Sequence, residues 1–380
     1  MRDVVVIGAG KIGAVISDFL ARSGDYRVTV IDGSAQALEK LETSVPLKVR
    51  QLDVSDTDAL VPALSGAFAM VSAAPFWLVT RMAEAAKAAG AHYLDITEDV
   101  AATRQVQALA EGARTAFVPQ CGLAPGFIGM VAAHLCKGFD DLHEIRMRVG
   151  ALPRYPSNAL SYNLTWSTDG LINEYSEPCD AIVNGERRWA PPMEELEEFS
   201  LDGVAYEAFN TSGGLGSLCE LMQGRVRTLN YKTIRYPGHA HIMKALLKDL
   251  RLRERREVLK DILENALPAT LQDVVIALVS ASGLKAGRLM QETYVRKVYS
   301  QEIGGVVRSA IQVTTAAGVC GVLDLLAEGL APQSGFVRQE EIPLERFLAN
   351  RFGRLYGEAD AAPAAGAPES RRPMAAMAGA

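Results

Sequence analysis

Residues Val4–Gly13, with the sequence VVVIGAGKIG, are the part of this chain from which the rest of the fold can be inferred. The four apolar residues before Gly8 have the length and composition of a short strand that is buried on both faces. The glycines that follow have the GxGxxG spacing, which permits a tight turn, the approach of a pyrophosphate and close packing of helix on strand. A helix that begins at Lys11 directs unpaired N–H groups at the phosphates. The stretch therefore predicts a dinucleotide-binding βαβ unit.

Asp32 ends the next predicted strand, nineteen residues after Gly13. A carboxylate there accepts hydrogen bonds from the adenosine ribose and repels a 2′-phosphate, which favours NAD over NADP. Asp53 would reach the adenine side, with a helix-capping role near Asp56 as the alternative. The predicted cofactor-binding residues are Gly8, Gly10, Lys11, Ile12, Gly13, Asp32, Asp53, Val54 and, at the carboxyl edge near the nicotinamide ribose, Ala73, Ala74 and Pro75. The alternative is a Rossmann-like domain that uses its glycines for packing or binds another adenosine cofactor.

Composition excludes several classes of protein. The chain has 380 residues, of which 49% are apolar and 22% charged, the balance of a folded globular protein with two or three domains. Its formal net charge of −6 argues against a nucleic-acid partner. The apolar stretches are too short or too interrupted for a membrane span, and a strand begins too early for a signal peptide. Five widely spaced cysteines without a CxxC pair indicate reduced thiols in the cytoplasm and no metal site.

The first 125 residues alternate apolar runs with helical patterns such as Lys11–Ser23 and Arg81–Ala89. This alternation predicts a parallel sheet with crossover helices. The predicted strands are Val4–Ile7, Arg27–Ile31, Lys48–Leu52, Ala69–Ser72, His92–Leu94 and Ala116–Pro119.

The pattern changes in residues 126–307, where Asn-Gly at 184–185 and Asp-Gly at 202–203 separate extended segments. Both pairs are strong signals of a β-hairpin, and Asp273–Ser280 with Arg288–Tyr299 predicts another antiparallel pair. Helices are expected at His239–Leu250, Arg256–Leu267 and Ser309–Leu330. The predicted fold class is therefore α/β: a Rossmann domain and an α+β, largely antiparallel-sheet substrate domain. Residues 357–380 are rich in Ala, Pro and Gly, which predicts a disordered tail.

Three further segments resemble the saccharopine dehydrogenase (glutamate-forming) and lysine 6-dehydrogenase group. They are Cys121–Phe127 (CGLAPGF), Gly150–Gly170 and Thr233–His239 (TIRYPGH). Saccharopine reductases typically carry Asp where this chain has Ala124, and the form found here is most similar to bacterial lysine 6-dehydrogenases. The resemblance implies that residues 308–356 return to the Rossmann domain, so that 126–307 is an insertion. It also implies a homo-oligomer, a dimer or higher, assembled through 126–307.

The activity implied by the resemblance is NAD-dependent oxidation of the ε-carbon of L-lysine with release of ammonia. The aldehyde product then cyclises to a piperideine carboxylate. Hydride can leave the ε-carbon only if the nitrogen lone pair is free, so the ε-ammonium must first lose its proton. The site therefore needs a base near the ε-nitrogen, a cation for the α-carboxylate and an acceptor for the α-ammonium.

Candidates for these roles come from the family-like segments and from the end of the fifth strand. Arg235 matches a carboxylate through its guanidinium fork, although a surface ion pair is the alternative. Asp95 and Glu98 would supply the base or neutralise the iminium that forms. Asp99 or Thr97 would cap the helix that follows. The predicted catalytic residues are Asp95, Glu98 and His239; the predicted substrate-binding residues are Tyr162, Asn163, Trp166, Thr211, Lys232 and Arg235.

Two of these segments also have structural explanations. Trp166 would either form part of the pocket wall around the methylene chain of the substrate or pack in the hydrophobic core. Thr211–Ser217 would form an anion-binding turn, or a flexible loop in which Ser217 caps the next helix.

Two other functions compete with lysine oxidation. One is a saccharopine-type or other secondary-amine dehydrogenase, against which the missing Asp at Ala124 counts. The other is a sensor that binds NAD without turnover, against which a polar, aromatic-lined second domain with Arg235 counts.

Overall fold

The computed structural model describes residues 1–357 of the chain, and its first layer is a parallel sheet. Strands β1–β6 are Arg2–Ile7, Tyr26–Asp32, Lys48–Gln51, Ala69–Ser72, His92–Asp95 and Ala116–Val118. They pair in the order β6-β5-β4-β1-β2-β3, so the winding reverses beside β1. The strands predicted from the sequence are all present, and their bounds differ by two residues at most. The run Val4–Ile7 is buried on both faces, as its unbroken apolar sequence predicts.

Helices cover both faces of this sheet. Helices α1–α5 are Lys11–Arg22, Ala35–Glu39, Thr57–Ala63, Val79–Ala89 and Val100–Ala110. Helix α1 packs in the larger apolar cluster on one face, whereas α3, α4 and α5 form a separate cluster on the other. The sequence pattern located α1 and α4, because their apolar residues recur at helical spacing.

The second layer is a mixed sheet. Strands β7–β14 are Asp141–Pro153, Cys179–Val183, Glu186–Ala190, Glu197–Leu201, Val204–Asn210, Val226–Arg235, Asp273–Lys285 and Arg288–Tyr299. Their order is β10-β11-β12-β7-β13-β14, and β8 pairs with both β12 and β9. Every neighbouring pair is antiparallel except β12 with β7. The α/β fold class with a largely antiparallel second domain is therefore confirmed.

The hairpin signals in the sequence are confirmed, with one correction. The Asn-Gly pair at 184–185 joins β8 to β9, and the Asp-Gly pair at 202–203 joins β10 to β11. Strand β13 extends past its predicted end at Ser280 to Lys285, and the turn to β14 consists of Ala286 and Gly287. Both turn residues have positive φ, the geometry that a two-residue hairpin turn requires.

Five helices accompany the second sheet: α6–α10 are Phe127–Cys136, Thr168–Ser176, Leu218–Met222, His239–Lys244 and Arg256–Ala266. The predicted helix His239–Leu250 consists of α9 and a π-helical turn, Ala245–Asp249. Helix α7 was not predicted, and it contributes to the cavity described below. Two short strands, β15 (Gln301–Ile303) and β16 (Val306–Arg308), then lead into the last long helix.

Helix α11, Ala310–Ala327, brings the chain back to the first sheet. It begins at Ser309, whose side chain forms a capping box with Gln312, and it packs against α1 and β13. Strand β17 (Gly335–Phe336) then pairs in parallel with β6, and α12 (Leu344–Ala349) follows. Helix α11 is long and apolar enough to cross a membrane, but 94% of it is buried inside this protein. Apart from Gly357, the predicted tail lies outside the described residues.

A buried carboxylate on α11 ties these elements together. Asp324 is 3% exposed and accepts a hydrogen bond from the Tyr26 hydroxyl of β2. It also accepts hydrogen bonds from Asn350 Nδ2 at 2.8 Å and from Arg351 Nη2 at 2.7 Å. A buried charge is tolerated when it is paired and hydrogen-bonded in this way.

We expect the Asp324→Ala variant to lose about 3 kcal/mol of unfolding free energy, because Tyr26, Asn350 and Arg351 lose their shared acceptor. Urea denaturation followed by circular dichroism measures this loss. The matched control is Asp3→Ala, which breaks the exposed pair with Arg27 and should cost less than about 1 kcal/mol. Equal losses in the two variants would contradict this interpretation.

Candidate active site

A cavity of about 630 Å³ lies between the carboxyl edge of the first sheet and the second sheet. The first domain contributes the glycine-rich turn, the segment after β4 and the segment after β5. The second domain contributes β7, β12, the segment 164–169, α7 and the end of α10. Ligands of open α/β sheets bind at this edge, outside the carboxyl ends of the strands. The cavity is therefore the candidate active site.

The glycine-rich turn has the geometry of a pyrophosphate site. A Cβ on Gly8 would lie 2.8 Å from the Ala73 carbonyl oxygen, and a Cβ on Gly13 would overlap the Gly8 carbonyl oxygen. A Cβ on Gly10 would meet no atom within 4 Å, so the open space lies there. Gly10 is also the N-cap of α1 and has no side chain to occupy the N–H groups of the first turn. These features fit a dinucleotide phosphate.

The predicted cofactor residues divide into two groups. The first group lines the cavity and consists of Gly10, Lys11, Ile12, Gly13, Ala73, Ala74 and Pro75. The second group, Gly8, Asp32, Asp53 and Val54, lies outside the cavity lining. Asp32 accepts hydrogen bonds from the Ala9 and Ser34 backbone N–H groups, both at 2.8 Å. Its carboxylate is thus held beside the glycine-rich turn, where an adenosine ribose would extend from the phosphates.

Asp53 has a local structural role. Its carboxylate accepts hydrogen bonds from the Ser55 N–H at 2.9 Å and the Ser55 hydroxyl at 2.7 Å. These bonds hold the pKa of Asp53 below its usual value. Asp56, not Asp53, caps α3 through the Ala59 N–H.

Glu98 lines the cavity on the side of the first domain. It lies in the loop between β5 and α5, and Asp99 beside it caps α5. Burial, together with the nearby carboxylates Asp99, Asp95 and Asp169, raises the pKa of Glu98 to about 7. A carboxylate with this pKa can take up a proton near neutral pH.

Two glycines make room for Glu98. A Cβ on Gly213 would lie 2.5 Å from the Glu98 carbonyl oxygen, and a Cβ on Gly170 would lie 2.9 Å from Glu98 Oε1. The Gly-rich loop 211–217 thus packs directly on the Glu98 backbone. This packing is the role that the structure supports for the loop predicted as an anion-binding turn.

Glu174 also lines the cavity, and the sequence did not predict it. It lies on α7 and is 6% exposed. Burial and the charge of Glu98 raise its pKa well above the usual value, while Arg235 acts in the opposite direction. The sequence does contain one signal of its burial: Glu174 is three residues after Leu171 and one before Tyr175, so in a helix it lies on the apolar side.

Arg235 is held rigidly at the end of β12. It is 2% exposed; its Nε donates to the Tyr175 hydroxyl at 2.9 Å and its Nη1 to the Ile234 carbonyl at 2.8 Å. The guanidinium also lies 5.0 Å from the centre of the Tyr162 ring. Arg235 lines the cavity, so it is a buried cation and not the surface arginine of the alternative interpretation.

Lys232 does not reach the cavity. Side chains alternate along a strand, so Tyr231, Thr233 and Arg235 share the cavity face of β12 while Lys232 faces away. Its ammonium donates to the Glu195 carbonyl and to Glu197 Oε1. No strand was predicted for residues 226–235, so strand alternation did not enter the expectation that Lys232 binds substrate.

Asp95 and His239 are buried behind the cavity wall. Asp95 accepts hydrogen bonds from the Thr97 and Gln120 N–H groups at 2.9 Å and from the Tyr93 hydroxyl at 2.8 Å. These bonds connect β5 to the segment after β6. Asp95 is 1% exposed and does not line the cavity, so it has a structural role, not that of the base.

His239 supports the position of Arg235 through Tyr175. Its Nδ1 lies 2.9 Å from the Leu160 carbonyl oxygen, so Nδ1 carries the proton, and its Nε2 accepts from the Tyr175 hydroxyl at 3.0 Å. Burial and the Arg235 charge lower the pKa of His239 to about 3, which keeps the ring neutral. Because it does not line the cavity, His239 is a positioning residue.

The remaining predicted substrate residues form the wall and its support. Trp166 lines the cavity and donates from Nε1 to the Tyr162 hydroxyl at 3.1 Å. Asn163 and Thr211 are buried outside the lining, and their Oδ1 and Oγ1 atoms have no hydrogen-bond partner within residues 1–357. Ser217 occupies the N-cap position of α8, but its hydroxyl donates to Glu340 Oε2 at 2.8 Å instead of capping the helix.

We expect Glu98→Gln to raise the melting temperature at pH 8 by about 3 °C and to change it little at pH 5. The raised pKa means that Glu98 keeps its proton in the folded protein between its usual pKa of 4.5 and about 7. Its contribution to stability is therefore full below pH 4.5 and is lost as the pH rises through about 7. Differential scanning calorimetry at the two pH values measures the change. The exposed Glu111→Gln variant should melt like the wild type, and an equal gain at both pH values would refute the assignment.

Comparison with known proteins identifies the family. The family model described as "Saccharopine dehydrogenase NADP binding domain" matches residues 4–118, and "Saccharopine dehydrogenase C-terminal domain" matches residues 122–355. The structure of apo saccharopine dehydrogenase (L-Glu forming) from Saccharomyces cerevisiae has a TM-score of 0.76 with 17% identity and covers 92% of this chain and 96% of its own. That similarity shows the fold.

Curated relatives match over part of their length. Mitochondrial alpha-aminoadipic semialdehyde synthase from Bos taurus is 22% identical over 320 residues, 78% of this chain and 33% of the relative. The Rattus norvegicus protein of that name is 20% identical over 317 residues, with the same coverage. This chain thus spans about a third of the length of these relatives. With two family models that together match most of the described residues, the chain belongs to the saccharopine dehydrogenase family, whose first domain binds a nicotinamide dinucleotide.

Proposed function

We propose that this protein oxidises the ε-carbon of L-lysine with NAD and releases ammonia, leaving an aldehyde that cyclises to a piperideine carboxylate. The observation that carries the proposal is the set of charges in the cavity. Glu98 and Glu174 have no hydrogen bond or ion pair from another side chain within residues 1–357, and Arg235 has a guanidinium directed at the same space. A ligand with amines and one carboxylate complements this set.

The shape of the wall supports a substrate with a methylene chain. Apolar side chains line the same cavity as the charged groups, so four methylenes would contact carbon atoms and not water. These residues are Leu123, Ala124, Val149, Ala151, Leu164 and Trp166. Arg235 is rigid, so it would hold the α-carboxylate in one position and orient the chain toward the first domain.

Glu98 is suited to the proton transfer that the reaction needs. The ε-ammonium loses a proton to the Glu98 carboxylate, and the freed lone pair forms the carbon–nitrogen double bond as hydride leaves the ε-carbon. The nicotinamide dinucleotide, when bound, accepts that hydride. Water then adds to the iminium carbon, and ammonia leaves as the aldehyde forms.

A saccharopine-type reaction is the second candidate, and the family match favours it. Saccharopine carries two more carboxylates than lysine, so its site needs further cations. Among the residues that line the cavity in the described part of the chain, only Lys11 and Arg235 are basic, and Lys11 belongs to the pyrophosphate turn. Ala124, where saccharopine reductases typically carry Asp, also lines the cavity, so the base of a saccharopine-type reaction would have to come from another residue.

We expect NADH formation from L-lysine, with kcat/KM rising with pH up to a plateau above about 7, because protonated Glu98 cannot act as the base. In Glu98→Gln, kcat should fall by about 100-fold or more and the ascending limb should disappear. NADH absorbance over a range of lysine concentrations at each pH measures both effects, and Glu111→Gln should keep the wild-type profile.

Other results in that assay would select the competing functions. Turnover of saccharopine but not of lysine would establish the second candidate. Bound NAD without turnover of lysine, saccharopine or ornithine would favour a sensor. Ammonia labelled from the ε-nitrogen of lysine identifies which amine leaves.

The preference for NAD is expected from Asp32, whereas the matching family model is described as binding NADP. We expect Asp32→Ser to raise the NADP-to-NAD ratio of kcat/KM by about 10-fold or more, because a charge facing the 2′-phosphate is removed. Arg50, which pairs with Ile31 next to Asp32, would then be the nearest cation on β3. Initial rates with both cofactors test this. The exposed Glu39→Gln variant is the matched control, and an unchanged ratio in Asp32→Ser would reject the role of Asp32.

A further inference from the structure

We propose that Glu174 determines substrate specificity by binding the α-ammonium of an α-amino acid whose carboxylate is held by Arg235. The site would then select free α-amino acids with a terminal amine over simple amines of the same length. The inference rests on the proposed function in one respect, since it assumes that the reacting amine is the terminal one.

Glu174 occupies a position that would normally be apolar. Every residue of α7 from Gly170 to Ser176 is buried, and Leu171, Ile172 and Tyr175 belong to one apolar cluster. The Glu174 carboxylate nevertheless makes no hydrogen bond or ion pair within residues 1–357, although it lines the cavity. A buried carboxylate without a partner destabilises a protein, and a cationic ligand relieves that cost.

The position of Arg235 explains why Glu174 does not pair with it. Tyr175, the next residue of α7, accepts the Nε hydrogen bond and holds the guanidinium against the Ile234 carbonyl and the Tyr162 ring. Arg235 and Glu174 still interact electrostatically, but no ion pair joins them in the described part of the chain. Both groups thus line the cavity, and no salt bridge closes the space between them within residues 1–357.

An α-amino acid head group fills such a gap. Its carboxylate and ammonium are attached to one carbon, so it would contact the guanidinium with one group and the Glu174 carboxylate with the other. Burial keeps the pKa of Glu174 raised, and an ammonium beside it would favour the ionised form.

Glu98 would then contact a different amine of the substrate from the one that Glu174 binds. It lies after β5, on the first-domain side of the cavity with Ala73, Ala74 and Thr97, whereas Glu174 and Arg235 belong to the second domain. A chain held by its head group on the second domain would extend its terminal amine toward Glu98. Glu174 would therefore recognise the α-ammonium, and Glu98 would accept the proton from the ε-nitrogen.

The test compares L-lysine with 6-aminohexanoate, which lacks only the α-amine, in wild type, Glu174→Gln and Glu98→Gln. The wild type should prefer lysine in kcat/KM by about 100-fold or more. Glu174→Gln should lose about 100-fold on lysine, mainly through KM, and stay within about 3-fold on 6-aminohexanoate. Glu98→Gln should lose kcat on both substrates and keep their ratio.

Two variants control for folding and for nonspecific charge effects. Glu177→Gln removes an acid that follows the same helix on the surface, where it pairs with Arg256, and should keep the wild-type ratio. Glu174→Asp keeps the charge and should restore part of the lysine preference. Equal losses on both substrates in Glu174→Gln, or an unchanged lysine KM, would overturn the proposal.

Binding measurements separate this proposal from the proposed function. Calorimetry with NADH present gives the affinities of lysine and 6-aminohexanoate without turnover. If the wild type binds lysine more tightly and Glu174→Gln loses that difference, Glu174 is the specificity residue even when no NADH forms from lysine. If lysine is oxidised but Glu174→Gln binds both ligands as the wild type does, the proposed function stands and the role of Glu174 is rejected.

Discussion

The hydrogen bond from Arg235 Nε to the Tyr175 hydroxyl, 2.9 Å long, connects the parts of the second domain that form the site. It joins the end of β12 to α7, and His239 Nε2 at the start of α9 accepts a hydrogen bond from the same tyrosine hydroxyl. A buried guanidinium needs such partners because its desolvation is costly. With Arg235 held in one position, the cavity has a fixed positive end, and the other side chains of its wall are arranged relative to that charge.

The carboxylates of the cavity are maintained at a cost in stability. Burial raises the pKa of Glu98 to about 7 and that of Glu174 well above its usual value, so the folded protein is least stable when both are charged. Proteins often retain such destabilising groups where they are needed for activity. Two glycines are also required by the position of Glu98. A larger residue at Gly170 would contact the Glu98 carboxylate, and one at Gly213 would contact its backbone carbonyl.

Membership of the saccharopine dehydrogenase family does not by itself determine which amine is oxidised. The difference between a lysine site and a saccharopine site is chiefly one of charge, because saccharopine carries additional carboxylates. Within the described residues the wall has few basic side chains, so it lacks the cations that these carboxylates would need, and Ala124 supplies no carboxylate that could act as a base. Four acidic residues line the same wall; Asp169 pairs with Lys260 and Glu264 is exposed, which leaves Glu98 and Glu174 for a substrate with two amines. Charge balance across the cavity therefore distinguishes the two reactions more directly than the fold does.

Local features of the sequence were sufficient to predict the Rossmann strands, the hairpins at 184–185 and 202–203 and the GxGxxG turn, because each depends on residues that are neighbours along the chain. The prediction that Glu98 serves the site came from its position after the fifth strand, whereas Arg235 was predicted from a segment that resembles the family; both residues line the cavity. Long-range packing decided the rest. Lys232 faces away from the cavity because side chains alternate along β12. Asp95 and His239 form hydrogen bonds with segments that are distant in the sequence. Glu174 is a candidate site residue only because folding brings it near Arg235, which is far from it in the chain.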